Sequence, residues 1–145
     1  MDYHRLLDIS TQGLEAVRLQ QEIAASNIAN VNTTRASNGG PYRRKVAILE
    51  AVPFEDELNA ASARLQKQTG TGGVRVKEII DDFSSFQKVY NPGHPDADKD
   101  GYVEMPNVDP AREMLDSTFL NNVHAANITA YRNSLQMARN LTQIQ

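Results

Sequence analysis

From Ala111 to Gln145 the chain contains neither glycine nor proline. Within that run Phe119, Val123, Ala126, Ala130, Met137, Leu141 and Ile144 follow one another at three-, four- and seven-residue steps. Asp109-Pro110 stands just before it. Asp is a good N-cap, and proline suits the first helical position because its missing N–H would be unpaired there anyway. The run therefore predicts one helix of about 35 residues, roughly 50 Å long at 1.5 Å per residue. A chain of 145 residues that commits so much of itself to one rod-like element has room for only one ordinary domain or a small domain with helical arms.

A second periodic segment stands at the other end, from about Tyr3 to Asn32. Leu7, Leu14 and Ile28 fall on multiples of seven, with Gln21 in the remaining slot, and Val17, Ala24 and Val31 form a second row. The rows alternate at three- and four-residue steps, a heptad-like stripe. Between the arms the pattern changes. Arg43–Val52 is rich in β-branched and alternating residues, Val74, Val76 and Ile80 alternate with Arg75 and Lys77, and Phe86–Tyr90 is a further candidate strand. Gly39-Gly40-Pro41, Gly70–Gly73 and Pro92-Gly93-His94-Pro95 punctuate these runs, and Glu55–Gly73 reads as a short helix passing into a flexible loop. The expected fold is mainly α with a small β-rich insert. Its long N- and C-terminal helices pack as a coiled-coil-like pair around an irregular and β central segment. The divisions fall at 1–34, 35–108 and 109–145, with the two helices forming one assembly domain.

Charge is distributed unevenly. The two arms together hold five Arg, six acidic residues and no Lys, while the whole chain has Lys+Arg 15 and Asp+Glu 18. Asn, Gln, Ser and Thr fill the polar positions of the arms instead. A solvated helix face usually carries Lys and Glu, whereas desolvated interfaces are depleted in them. Such arms suit helices surrounded by other helices. A net charge of -3 offers no field to attract nucleic acid or an anionic membrane. With no cysteine, disulfides, thiolate metal sites and cysteine nucleophiles are excluded. The first residues lack a basic segment followed by an apolar run, so no Sec signal is expected. No apolar stretch is long enough to span a membrane.

The one chemical motif is Asp96-Ala97-Asp98-Lys99-Asp100-Gly101, which matches the first half of an EF-hand calcium loop. A calcium-regulated binding module built on residues 96–107 is therefore the alternative function. Against it, position twelve is Asn107 rather than a bidentate carboxylate, and Pro92 and Pro95 preclude an entering helix. The same residues also suit a turn, with Asp side chains capping N–H groups and Gly101 supplying backbone freedom. His4, His94 and His124 are isolated, and Gly70–Gly73 lacks the lysine of a phosphate loop. No catalytic set, metal site or cofactor site assembles, and no enzyme is expected. Arg43-Arg44-Lys45 reads as a solvated strand edge.

Ala25-Ser26-Asn27-Ile28-Ala29-Asn30-Val31-Asn32-Thr33 resembles the N-terminal signature of bacterial flagellar rod and hook proteins. Pro41-Tyr42-Arg43-Arg44-Lys45, the stretch Tyr90–Val108, Glu113-Met114 and Ala125-Ala126-Asn127 resemble, in order, motifs of the proximal rod (FlgC) family. The run 116–122 departs from the small-residue and arginine pattern of that family. The resemblance implies a non-enzymatic subunit of the basal-body rod, located where the rod crosses the periplasm and exported by the flagellar type III apparatus without a cleaved signal. Its implied partners are other copies, sibling rod proteins, the membrane-ring/rod junction and the export apparatus. On this view Leu7, Leu14, Val17, Ile28, Val123, Ala130, Met137 and Leu141 line helix contacts, and Asn27, Asn30 and Asn127 bond across helices. Pro92, Gly93, Pro95, Asp96, Asp98, Asp100, Gly101, Tyr102 and Pro106 form a structural loop joining the insert to the last helix and fixing where that helix starts.

Overall fold

A computed structural model describes residues 3–37, 39–52 and 73–142; the expectation for Glu55–Gly73 falls almost wholly outside them. The element order is α1 (Tyr3–Ala29), β1 (Lys45–Val52), β2 (Gly73–Asp81), β3 (Gln87–Tyr90), β4 (Tyr102–Met105) and α2 (Pro110–Thr142). The helices lie side by side and antiparallel. Asn27 meets Glu113 near one end, Gln21 donates to Asn121 at 2.8 Å, and Gly13 faces Asn127 further along. Two short antiparallel sheets, β1–β2 and β3–β4, form the insert between the helices.

The helix ends follow from their caps. Asp109 Oδ1 accepts from the Ala111 N–H at 2.9 Å, so α2 starts at Pro110 as its sequence predicts. At the other end α1 stops at Ala29, three residues short of Asn32. There the Asn30 side chain donates to the Ser26 carbonyl at 2.8 Å, and the Asn30 N–H divides between the Ser26 and Asn27 carbonyls. A side chain that competes for the last carbonyls ends a helix locally.

In β1–β2 the register shifts between Ile48 and Leu49, so that Lys77 has no partner. The bulge reverses the facing of every later residue. It places Val74 and Val76 on the same side as Ile79, the side that meets α1, whereas strict alternation groups Val74, Val76 and Ile80. Ala16, Val17, Ile23 and Ala24 of α1 and Leu120 of α2 are buried where the helices and this hairpin meet. Val103 and Val108 are the buried apolar residues at the β4–α2 junction.

The acidic loop is not the joint between insert and helix. Residues 91–101 form the turn of the β3–β4 hairpin, because Tyr102–Met105 is itself a strand, paired Tyr90↔Tyr102 and Val89↔Val103. From sequence the segment sits inside a run that reads as one loop, and its pairing with β3 shows only in the fold. Gly101 has φ +81, and a Cβ there would lie 2.9 Å from the Tyr90 ring, so turn and ring both require glycine.

Candidate functional site: a buried polar clasp and the surrounding helix faces

The start of β1, the C-terminal part of α1 and the first turn of α2 meet at a small set of polar side chains. Asn27 is buried on α1. Its Oδ1 accepts from the Lys45 N–H at 2.9 Å and the Tyr42 hydroxyl at 3.0 Å. Its Nδ2 donates to the Lys45 carbonyl at 3.0 Å and to the Glu113 carboxylate at 3.1 Å. An amide has two acceptor and two donor sites, and Asn27 uses both kinds to hold an extended chain on one side and a helix on the other. The Glu113 side chain is 2% exposed and accepts from Arg44 Nε at 2.5 Å. Arg44 also lies 3.5 Å from Asp116. Its own N–H donates to Asn107 Oδ1 at 2.8 Å, and Asn107 Nδ2 donates to the Asp82 carbonyl at 2.8 Å.

A buried ion pair is tolerable only when hydrogen bonds satisfy its remaining capacity, and Asn27 and Asp116 do so here. The clasp fixes the relative placement of both helices and the hairpin. Arg43-Arg44-Lys45 is therefore not a solvated strand edge. Arg44 is 18% exposed within the clasp, and the Arg43 guanidinium lies 4.3 Å from the Phe86 ring centroid. The sequence could not reveal this, because a run of cations reads the same whether or not a distant carboxylate faces it.

Beyond the clasp an open cleft of about 790 Å³ runs between α1, α2 and the β1–β2 hairpin. Ile9, Val17, Leu49, Val74, Phe119 and Val123 are among its walls, with Asn27, Arg44 and Glu113 at its polar part.

Of the helix-contact residues named from sequence, Val17 and Asn27 are buried, and Leu7, Leu14, Ile28, Val123 and Asn127 are half-buried. Asn30 is half-buried and bonds within its own helix end rather than across helices. Ala130 and Met137 are exposed, and the Leu141 side chain lies outside the described residues. The face that α2 turns inward carries Glu113, Leu120 and Ser134, at steps of seven and fourteen residues. The periodic row read from sequence lies about 100° around the helix, at 100° per residue. On that second side Leu115 is 71% and Phe119 66% exposed. Helix α2 thus has two apolar strips, and periodicity alone cannot say which one meets α1.

In the acidic turn two of the three carboxylates are taken up by partners within the chain. Asp96 accepts from Thr34 Oγ1 at 2.8 Å and pairs with Arg35. Asp98 Oδ1 accepts from the Asp100 and Tyr102 N–H groups at 3.0 and 2.8 Å. His94 Nδ1 accepts from the Asp96 N–H at 3.1 Å, Pro106 is buried, and Pro92, Gly93, Pro95 and Asp100 are exposed. Among the described residues no group of three or more His, Asp or Glu is placed to hold a metal ion.

The chain matches the family model for the flagella basal body rod protein over residues 7–36. It is 40% identical to the flagellar basal-body rod protein FlgC of Bacillus subtilis (strain 168), over 86% of this chain and 85% of that one. Against the FlgC of Borreliella burgdorferi the identity is 36%, covering 95% and 94% of the two chains. Against that of Aquifex aeolicus it is 34%, covering 90% and 88%. The residues that carry the sequence resemblance converge in space: Asn27, Tyr42, Arg44, Asn107 and Glu113 come from four separate motifs and meet in one clasp. On this evidence the chain belongs to the FlgC family of flagellar basal-body rod proteins.

Proposed function

We propose that this chain is a structural subunit of the flagellar proximal rod, polymerising through its terminal helices to transmit torque from the membrane ring towards the hook. The observation that carries this reading, beyond family membership, is the second apolar strip of α2. Leu115, Phe119 and Met137 are exposed along it and interspersed with amides rather than with Lys and Glu. An uncharged apolar strip about 33 Å long is unusual on a monomer's surface. It suits coiled-coil-like packing against helices of neighbouring subunits. Contacts of that kind, made head to tail and not closing on themselves, build helical filaments.

In this reading residues 1–34 and 109–145 form one assembly domain and 35–108 an insert on its side. The helix-contact set of Leu7, Leu14, Val17, Ile28, Val123, Ala130, Met137 and Leu141 serves packing within and between subunits. The partners are other copies, sibling rod proteins and the membrane-ring/rod junction. Export is by the flagellar apparatus without a cleaved signal, and no described helix is long and apolar enough to cross a membrane. The test is complementation of a non-motile strain lacking the gene. The Ile28→Asp chain should be exported yet leave cells without rods, whereas normal swimming would refute the placement of Ile28 at a helix contact.

A further inference from the structure

The loop between β2 and β3 presents Phe83, which is 83% exposed, more than any other large apolar side chain among the described residues. Its backbone is held firmly. The Asp82 N–H donates to the Arg44 carbonyl at 2.7 Å, the Ser84 N–H donates to Asp82 Oδ1 at 2.9 Å, and Asn107 Nδ2 donates to Ser84 Oγ at 2.8 Å. The Arg43 guanidinium lies 5.4 Å from the Phe83 ring centroid. A loop held before docking loses little backbone entropy on docking. Arg43 Nη1 is buried, and among the described residues no acceptor faces it. A buried donor without a partner asks for one.

The helix–hairpin cleft offers the complement. Its volume, about 790 Å³, is in the range of pockets that enclose sizeable groups, and no residue of the Phe83 loop lines it. The Asp116 carboxylate stands at its wall with half of its side chain exposed, an acceptor suited to a guanidinium. Knob and cleft lie on different sides of one segment. Arg44 sends its side chain into the clasp beside the cleft, and its neighbour Arg43 sends its own to the rings of Phe83 and Phe86. A knob and a complementary pocket at separate places on one chain make a heterologous contact, which repeats from copy to copy without closing.

We propose that Phe83 of one copy inserts into the helix–hairpin cleft of a second copy, bringing Arg43 to the second copy's Asp116. The proposal rests on the rod-subunit reading above and names the copy-to-copy contact within it. The absence of cysteine makes the test clean. Tagged Phe83→Cys and untagged Leu49→Cys chains are co-expressed, basal bodies are isolated, and mixed disulfides are formed with a mild oxidant. A disulfide needs Cα atoms within about 7 Å, so this pair should cross-link about tenfold more than Phe83→Cys with Glu15→Cys on the outer face of α1. Equal yields in basal bodies that contain the chain would overturn the contact and leave the rod reading standing. Basal bodies lacking the chain would sink the rod reading itself. In a second arm, Phe83→Ala should keep the wild-type urea midpoint, since its ring is in solvent, yet impair swimming. If these cells swim as wild type while Ile28→Asp cells do not, the cleft contact is wrong.

Discussion

Replacing Glu113 with Ala removes the acceptor that faces both Arg44 Nε and Asn27 Nδ2. Asp116, at 3.5 Å, is then the carboxylate within ion-pair distance of the Arg44 guanidinium among the described residues, and that guanidinium is largely buried. Breaking a buried pair by removing one partner costs about 3–5 kcal/mol, because a charge is left uncompensated. Asn27 keeps its two bonds to the Lys45 backbone and so adds little to the loss. The cost is a large share of a total stability of about 5–15 kcal/mol. At an m-value of about 2 kcal/mol/M it lowers the urea midpoint by about 2 M, read by far-ultraviolet circular dichroism. An unchanged slope would confirm that stability alone has moved. A midpoint shift under about 0.3 M, or under 0.6 kcal/mol on the same slope, would refute the clasp as an energetic keystone. The double variant Arg44→Met with Glu113→Leu provides the control. Replacing the whole pair by apolar groups is often neutral or better, so it should recover most of the lost stability. If it is as unstable as Glu113→Ala, the loss is one of packing rather than of an orphaned charge.

The other predictions concern single contacts. Asp109→Ala removes the N-cap of α2 and should cost about 1 kcal/mol, seen in the same urea titration. Gly13→Leu should cost about 1–3 kcal/mol, because even a Cβ at Gly13 stands 3.3 Å from Asn127 Nδ2 and the larger side chain would push the helices apart. The Asp82 carboxyl is held below its ordinary value, first by the Ser84 N–H and hydroxyl and more weakly by Arg44 and Arg112, against an opposing effect of burial. A depressed folded pKa gives stability that is present above about pH 4 and lost as pH falls through the folded value. Asp82→Asn should therefore flatten the acid limb of the stability profile, and an unchanged limb would contradict that. Calorimetric titration with calcium should show no binding tighter than about 10 μM, the sensor range, because Asp96 and Asp98 already face Arg35 and backbone N–H groups. Tight binding would overturn that account of the turn.

Much of the architecture was legible in the chain. The start of α2 follows from Asp109-Pro110 and its length from a run without glycine or proline, since both are local backbone chemistry. The end of α1 was misplaced because Asn30 is a good helix residue by position and a helix stop by its side chain. The β2 face was misread because a bulge depends on the partner strand. Strand β4 is hidden because Tyr102–Met105 lies within a Pro-, Gly- and Asp-rich run that reads as one loop. The candidate site was legible only as fragments. Asn27, Arg44 and Glu113 stood out in separate motifs, but nothing in their spacing says that they touch across 86 residues of chain.

The sequence by itself determined two long helices, a β-rich middle and the family, because helix periodicity, capping and motif order are properties of neighbouring residues. Only the tertiary structure decided which apolar strip of α2 packs inside and which stays exposed, that the acidic turn closes a hairpin, and that Arg44 is buried. Those outcomes depend on what stands opposite each side chain, and a side chain's opposite partner is fixed by long-range packing rather than by the residues beside it.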